Sequence, residues 1–304
     1  MDDAYKYGNA WNHANNPEYG ERKMKRRRVR SRGASLWHLA MGIVAYLVLI
    51  GCAGPGSARA SEAAKGRPGD GVQPASGAGE PARVLHASNL GWTAGQDITE
   101  AFAGMLEKGE FKSGDELVLD HRYRITGSHK LPDNFTLSVK KGAGFDVADT
   151  YSQRKFLSLG SNTTLRNLWI DYLHSPDTGG MGIRASQRGV DLLNKVGITL
   201  PSGGGNILFE NCRFEGMIAH HVKGHGCDRV TFTGCQVVGG FWAVCIFGAK
   251  DLIFRRCLFE KSAGDGFKGG TDGGIFENCL FQDCTRDAID TTGGLNDTLV
   301  RNCI

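Results

Sequence analysis

From about Leu85 onward, apolar and polar residues alternate in short runs separated by Gly, Asn and Asp. Period-two alternation bounded by turn residues predicts short strands rather than helices. One run recurs along the chain, as Asn206–Phe214, Arg229–Val237, Asp251–Phe259, Gly273–Phe281 and, cut short, Asp297–Ile304. Its seventh position is always cysteine: Cys212, Cys235, Cys257, Cys279 and Cys303, in steps of 23, 22, 22 and 24 residues. A copy without cysteine, Asn162–Ile170, has Leu168 at that position, 44 residues before Cys212, and reads as two coils of 22.

A unit of this length cannot bury its apolar face alone, but successive coils can stack so that each strand pairs in parallel with its counterpart about 4.8 Å away. Equivalent residues then form interior ladders. The first is Leu165, Phe209, Phe232, Phe254, Phe276 and Val300; the second is Leu168 and the five cysteines. The third is Ile170, Phe214, Val237, Phe259 and Phe281. Asn167, Asn211, Asn278 and Asn302 precede the second ladder at a turn, where each amide can bond the next coil's. The predicted fold is all-β, a right-handed parallel β-helix solenoid of about 22–24 residues per coil. Asp97–Glu107 is predicted to be an amphipathic helix that caps its N-terminal end, followed by strands over Asp115–Asp120 and His121–Ile125. The sequence stops at Ile304 in mid-coil, and further coils are expected beyond it.

Composition divides the chain into three parts. Residues 1–52 carry a basic run from Arg22 to Arg32 and then thirteen mostly apolar residues, Leu39–Gly51. This is the pattern of an export signal, and it is short for a membrane span of about 20 residues. Met24 is a competing start. Leu49-Ile50-Gly51-Cys52 resembles a bacterial lipoprotein box, which implies lipidation at Cys52, whereas Ala58-Arg59-Ala60 offers an ordinary cleavage site. Residues 53–84, rich in Gly, Ala, Pro and Ser, read as a flexible linker. Residues 85–304 form the β-helix domain. The expected location is therefore outside the cytoplasm, as an outer-membrane or periplasmic lipoprotein or a secreted protein, touching membrane only through its anchor or signal.

The net charge of +4 is concentrated in the N-terminal basic run, and the rest is slightly acidic. Nucleic acid is not an expected partner; a monomer acting on an acidic polysaccharide is. Nine cysteines in an exported chain would ordinarily suggest disulfides. Five of them hold one inward position per coil, pointing the same way, which suits buried thiols better than bridges.

Chemistry is expected on the strand that follows each third-ladder residue. Ten residues past each ladder cysteine stand Val222, Cys245, Phe267 and Ile289, with Lys223, Ile246, Lys268 and Asp290 as outward neighbours. Two residues before the inward set come His220, Ala243, Asp265 and Asp287. Asp265, Asp287 and Asp290 are thus brought together as candidate metal ligands, since three converging carboxylates suit a hard cation such as Ca2+. The competing reading is a surface network neutralised by Lys268 and Arg286. Lys268 is the candidate catalytic base. Arg184, Lys223, His220 and His221 are candidate substrate-binding residues.

Two segments resemble known families. The helix followed by Asp115-Glu-Leu-Val-Leu and Tyr123-Arg-Ile125 resembles the opening of the pectate-lyase-like β-helices. Gly264-Asp265-Gly-Phe-Lys268, Phe276-Glu-Asn-Cys279 and Arg286-Asp287-Ala-Ile-Asp290 resemble a block of calcium-dependent β-helix pectate lyases. That resemblance implies Ca2+ held by Asp265, Asp287 and Asp290, with Arg286 standing where the family has a fourth acid. It also implies a base beyond Ile304 and β-elimination on pectate or another uronate polymer. A polygalacturonase-like glycoside hydrolase and a non-catalytic carbohydrate-binding surface lipoprotein are the alternatives.

Overall fold

A computed structural model describes residues 83–147, 155–172, 195–216 and 218–304. Cys52, Ala58–Ala60 and Arg184 lie outside the described residues. The strands wind into a parallel β-helix with three faces. The second face is a continuous seven-stranded parallel sheet, running from Arg122–Ile125 to Leu280–Gln282. The first face carries the phenylalanine ladder. The third runs through Lys155–Ser158, Val196–Thr199, His220–His225, the start of Val244–Arg255, Phe267–Asp272 and Ile289–Asp290.

The first and third predicted ladders are observed strand pairings. Phe209 stands opposite Leu165 and Phe232, and Phe254 opposite Phe232 and Phe276. The rings stack at 4.3 Å for Phe209–Phe232 and 4.7 Å for Phe232–Phe254, nearly face to face. Buried and offset, such stacks add to the hydrophobic gain of each ring. The third ladder is likewise in register, from Ile170 through Phe214, Val237 and Phe259 to Phe281.

The cysteine position has a reason beyond size. Each thiol points at the main-chain carbonyl of the first-ladder residue one coil back. Cys212 reaches Leu165 O at 3.2 Å, Cys235 Phe209 O at 3.4 Å, Cys257 Phe232 O at 3.5 Å and Cys279 Phe254 O at 3.6 Å. All eight described cysteines are free thiols. Along the second ladder, the residue before Leu168 and before each ladder cysteine is left-handed: Asn167, Asn211, Arg256, Asn278 and Asn302 have φ between 52° and 55°, and Gly234 has φ 63°. Asparagine tolerates this conformation and completes the turn through its side chain. The Asn302 amide donates to Asn278 at 3.2 Å. A second asparagine ladder, Asn134–Asn162–Asn206, bonds at 2.8 and 2.7 Å at the start of the first face.

Two sequence expectations need correction. Leu165 pairs directly with Phe209 and Ile170 with Phe214, so the 44 residues from Leu168 to Cys212 make one coil, not two. In sequence, the additional residues come between the strand Trp169–Tyr172 of the second face and the strand Val196–Thr199 of the third. Corners tolerate insertion because the ladders that hold the stack lie in the faces. The second correction is local. Val222 is in register with Val244 rather than Cys245, and Val244 with Phe267. In that coil the corner is one residue shorter, so the inward residue comes nine after Cys235 rather than ten.

The helix spans Thr99–Glu107, and the Thr99 amide donates to the Asp97 carboxylate at 3.0 Å. Its buried Phe102 packs edge-on against His129 and Phe145, at ring separations of 5.1 and 6.0 Å.

Candidate functional site

The one-residue slip defines an outward row on the third face: Lys223, Cys245, Lys268 and Asp290, each in register with the next. Lys268 is the second residue of the strand Phe267–Asp272, and Asp290 ends the short strand Ile289–Asp290. Asp265 and Asp287 stand two residues before Phe267 and Ile289, in the corners leading into those strands. Between the two corners the backbones are tied, with Gly266 N donating to Asp287 O at 2.9 Å and Phe267 N to Ala288 O at 3.0 Å. Gly269, beside Lys268, has φ 155°, and a Cβ there would lie 1.7 Å from Ile246 O. Only glycine lets the two strands approach this closely beside the charged row.

The three aspartates converge, one carboxylate oxygen of each lying within 4.8 Å of the others. Their surroundings differ sharply. Asp265 is fully buried, Asp290 is mostly buried and Asp287 is exposed. Asp265 Oδ1 accepts the Asp287 amide at 3.2 Å, while its Oδ2 has no hydrogen-bond partner. Burial pushes the Asp265 carboxyl above its ordinary value, against the pull of that amide, Arg286 and Lys268. Burial acts the same way on Asp290, but hydrogen bonds from Lys268 and Thr292 outweigh it and hold that carboxyl low. Asp290 Oδ1 accepts from the Thr292 amide at 2.9 Å and from its hydroxyl.

Two cations sit inside this cluster. The Lys268 ammonium pairs with Asp290 Oδ2, lies 3.8 Å from the unpartnered Asp265 Oδ2, and reaches Thr292 Oγ1 at 3.3 Å. It also stands 5.3 Å from the centre of the Trp242 ring, a cation–π contact. Arg286 Nε lies 3.8 Å from Asp265 Oδ1, and the Arg286 side chain is 42% exposed. The aspartates have the convergence calcium requires, yet the set as built does not fit the ion. Both oxygens of Asp290 are taken, Lys268 stands between Asp290 and Asp265, and Arg286 faces Asp265 from the other side. Calcium takes six to eight oxygens, and it is repelled by an ammonium and a guanidinium at this range.

The histidines are not on the working surface. His221 is fully buried between Tyr172 and Phe214, at ring separations of 5.6 and 6.5 Å. His220 is 4% exposed and stacks on Trp242 at 5.3 Å. Burial drives their pKa values down to about 3 for His220 and about 4 for His221, favouring the neutral rings. His220 and His221, adjacent on the strand His220–His225, are thus the least exposed of the candidate substrate-binding residues described, His221 packed among rings and His220 covered by Trp242. Lys223 keeps its place in the outward row, with Cys245 between it and Lys268.

Sequence reasoning missed Trp242, Thr292 and Cys245 as neighbours of Lys268. Thr292 had a signal: a threonine two residues after an aspartate, whose backbone and hydroxyl both return to that carboxylate. Trp242 and Cys245 were hidden by the assumed ten-residue count.

Residues 177–304 match a family model described as the right handed beta helix region. No curated protein matches the sequence. Among solved structures, the chain is similar to a glycosyl hydrolase candidate from Parabacteroides merdae ATCC 43184. That likeness has 13% identity and a TM-score of 0.45, and covers 73% of this chain and 95% of that one. It is similar also to the tailspike protein gp49 of Acinetobacter baumannii bacteriophage Fri1, a capsular polysaccharide depolymerase. Here the identity is 13% and the TM-score 0.42, over 72% of this chain and 50% of that one. Seven stacked parallel coils with continuous interior ladders, and the match over residues 177–304, identify the fold of this chain as a right-handed parallel β-helix.

Proposed function

We propose that this is an exported β-helix protein that acts on an acidic polysaccharide, as a lyase cleaving uronate chains by β-elimination. The observation that carries the reading is Lys268, held on the outward third face by Asp265 and Asp290, with Arg286 beside them. Cations fixed by buried carboxylates are suited to a uronate carboxylate, and engaging it makes the adjacent C5 proton more acidic. A base removes that proton, the C5–H electron pair becomes the C4=C5 double bond, and the C4–O bond breaks, its oxygen leaving with a proton. Lys268 is the basic side chain nearest the acids, and it can take a proton only once released from Asp290. The basic-then-apolar segment before Gly51 supports export, and lipidation at Cys52 belongs to the same proposal.

The Lys268–Asp290 pair also favours a second reading, a non-catalytic surface protein that binds acidic sugars, because a paired ammonium binds rather than abstracts. An inverting hydrolase is less well supported. Its two carboxyl groups stand ~6.5–9.5 Å apart to admit a water, whereas oxygens of these aspartates lie within 4.8 Å and Asp265 is fully buried. Incubation of the full chain with polygalacturonate and other uronate polymers separates the three. A lyase gives an unsaturated product absorbing in the ultraviolet, and a hydrolase gives reducing ends without that absorbance. Retention on the polymer with neither product leaves the binding reading, and no retention and no product sinks all three.

A further inference from the structure

The buried, unpartnered oxygen of Asp265 calls for a positive charge, and two groups of the chain itself stand within ion-pair distance of that carboxylate. We infer that Lys268 is the built-in cation of the Asp265–Asp287–Asp290 cluster, and that the site works without a metal ion. This deepens the proposed function, on which its placement in a polysaccharide site rests, but its physical content is independent of substrate.

The residues divide the work. Asp265 is locked from below, its main-chain carbonyl accepting from Ser262 Oγ at 2.8 Å and from Ala243 N at 3.0 Å. That fixes the carboxylate in the corner, where it faces both Lys268 and Arg286 at 3.8 Å. Asp290 is held by Thr292 on one oxygen and by Lys268 on the other. The register Lys268↔Asp290 sets the ammonium directly over the carboxylate of the next coil, where one strand spacing of about 4.8 Å suits a lysine reaching across. Trp242 closes the remaining side with its ring face. Four separate contacts thus converge on one nitrogen whose side chain is 16% exposed. A calcium ion would have to displace that nitrogen from Asp290, Asp265 and Thr292 and then sit beside Arg286. The electrostatic penalty of two nearby cations is only partly screened, more at the half-exposed Arg286 than at the sheltered Lys268.

Calcium binding by the full chain, followed by isothermal titration and by melting temperature with calcium or with chelator, tests this. The wild type is expected to give no saturable calcium binding and an unchanged melting temperature in either condition. The double variant K268Q/R286D removes both cations and adds a carboxylate. It is expected to gain saturable binding and a calcium-dependent rise in melting temperature, on the order of 5 °C at a hundredfold excess over Kd. R286Q alone, which keeps Lys268, is expected to gain neither. Saturable calcium binding by the wild type, abolished in D287N, would overturn the inference, and so would binding gained by R286Q alone. Should the double variant be unfolded, the wild-type and R286Q arms still decide. Failure of the wild type to act on or bind uronate polymers would remove the proposed substrate class and leave the calcium arms untouched.

Discussion

Lys268 and Asp290 face each other across adjacent coils as an ion pair whose two side chains are 16% and 15% exposed. Their main chains are in parallel register, so the pair is imposed by coil stacking rather than by side-chain reach. Pairs this sheltered lie between exposed bridges, worth about 0–1 kcal/mol, and fully buried ones, whose breaking costs about 3–5 kcal/mol. Lys268→Met is expected to destabilise by about 2 kcal/mol, since it strands Asp290 and leaves Asp265 facing only Arg286. A double-mutant cycle with Asp290→Asn, read by urea denaturation, should show a coupling of about 1–2 kcal/mol. Purely additive effects would show that the two charges do not interact.

The glycine beside that lysine is expected to be irreplaceable. At Gly269, φ is 155° and an added Cβ would lie 1.7 Å from the Ile246 carbonyl oxygen, a backbone atom that cannot swing aside. Gly269→Ala should cost about 3 kcal/mol or more and disturb the row Lys223–Cys245–Lys268. Gly109→Ala is the control, because its φ is 65° but its Cβ would meet nothing within 4 Å. Only the modest cost of a left-handed alanine, about 1–2 kcal/mol, is expected there. Equal melting temperatures for the two variants would refute the close-approach argument.

For the cysteine ladder, the thiol's contact with the preceding coil predicts a graded response. Cys257→Ala removes the donor to Phe232 O and leaves a small void, and should cost about 1–2 kcal/mol. Cys257→Ser retains a donor and should fall closer to wild type. The Cys257 thiol is driven up to about 12, first by its contact with Cys235, with burial adding to it. Because all three are buried, native protein should leave Cys212, Cys235 and Cys257 unlabelled by a thiol reagent at pH 8, and unfolding should expose them. Rapid native labelling of all three, mapped by mass spectrometry, would contradict the buried ladder.

Stability should fall as the solution is acidified from pH 7. His220 and His221 have folded pKa values of about 3 and about 4, below the unfolded value near 6.5. Between those limits the unfolded chain binds protons that the folded chain refuses. The loss therefore begins below about pH 6.5 and levels off only near the folded values. Each ring contributes on the order of 3–5 kcal/mol when the window is fully crossed. Lys223 works in the same direction on His220, while carbonyls at Gly216, Val238 and Gly239 partly oppose burial at His221. Denaturant midpoints at pH 7 and pH 5 measure the loss, and His221→Phe should flatten the slope. An unchanged slope in that variant would place the acid sensitivity elsewhere.

How much of this was legible in the sequence differs between faces and corners. The three ladders were readable because each coil repeats the same apolar positions, and a period of two leaves only one face for them. Stacking of Phe209, Phe232, Phe254 and Phe276, the turn asparagines of the second ladder, and the Lys268–Asp290 step all followed from counting, though the left-handed backbone of those asparagines did not. The clustering of Asp265, Asp287 and Asp290 followed from the same register. Corners carry no such repeat. Whether a corner holds one residue fewer, as before Val244, or many more, as after Tyr172, is settled by which strands pair across coils. That pairing is a long-range choice no local pattern records. The same limit hid the burial of His220 and His221, and the stacking of Trp242 between His220 and Lys268. The sequence by itself thus determined the solenoid and the company of charges on its third face. Only the tertiary structure decided that an ammonium stands against both Asp265 and Asp290, because that depends on how deeply stacking buries Asp265 and which oxygens it leaves without a hydrogen bond.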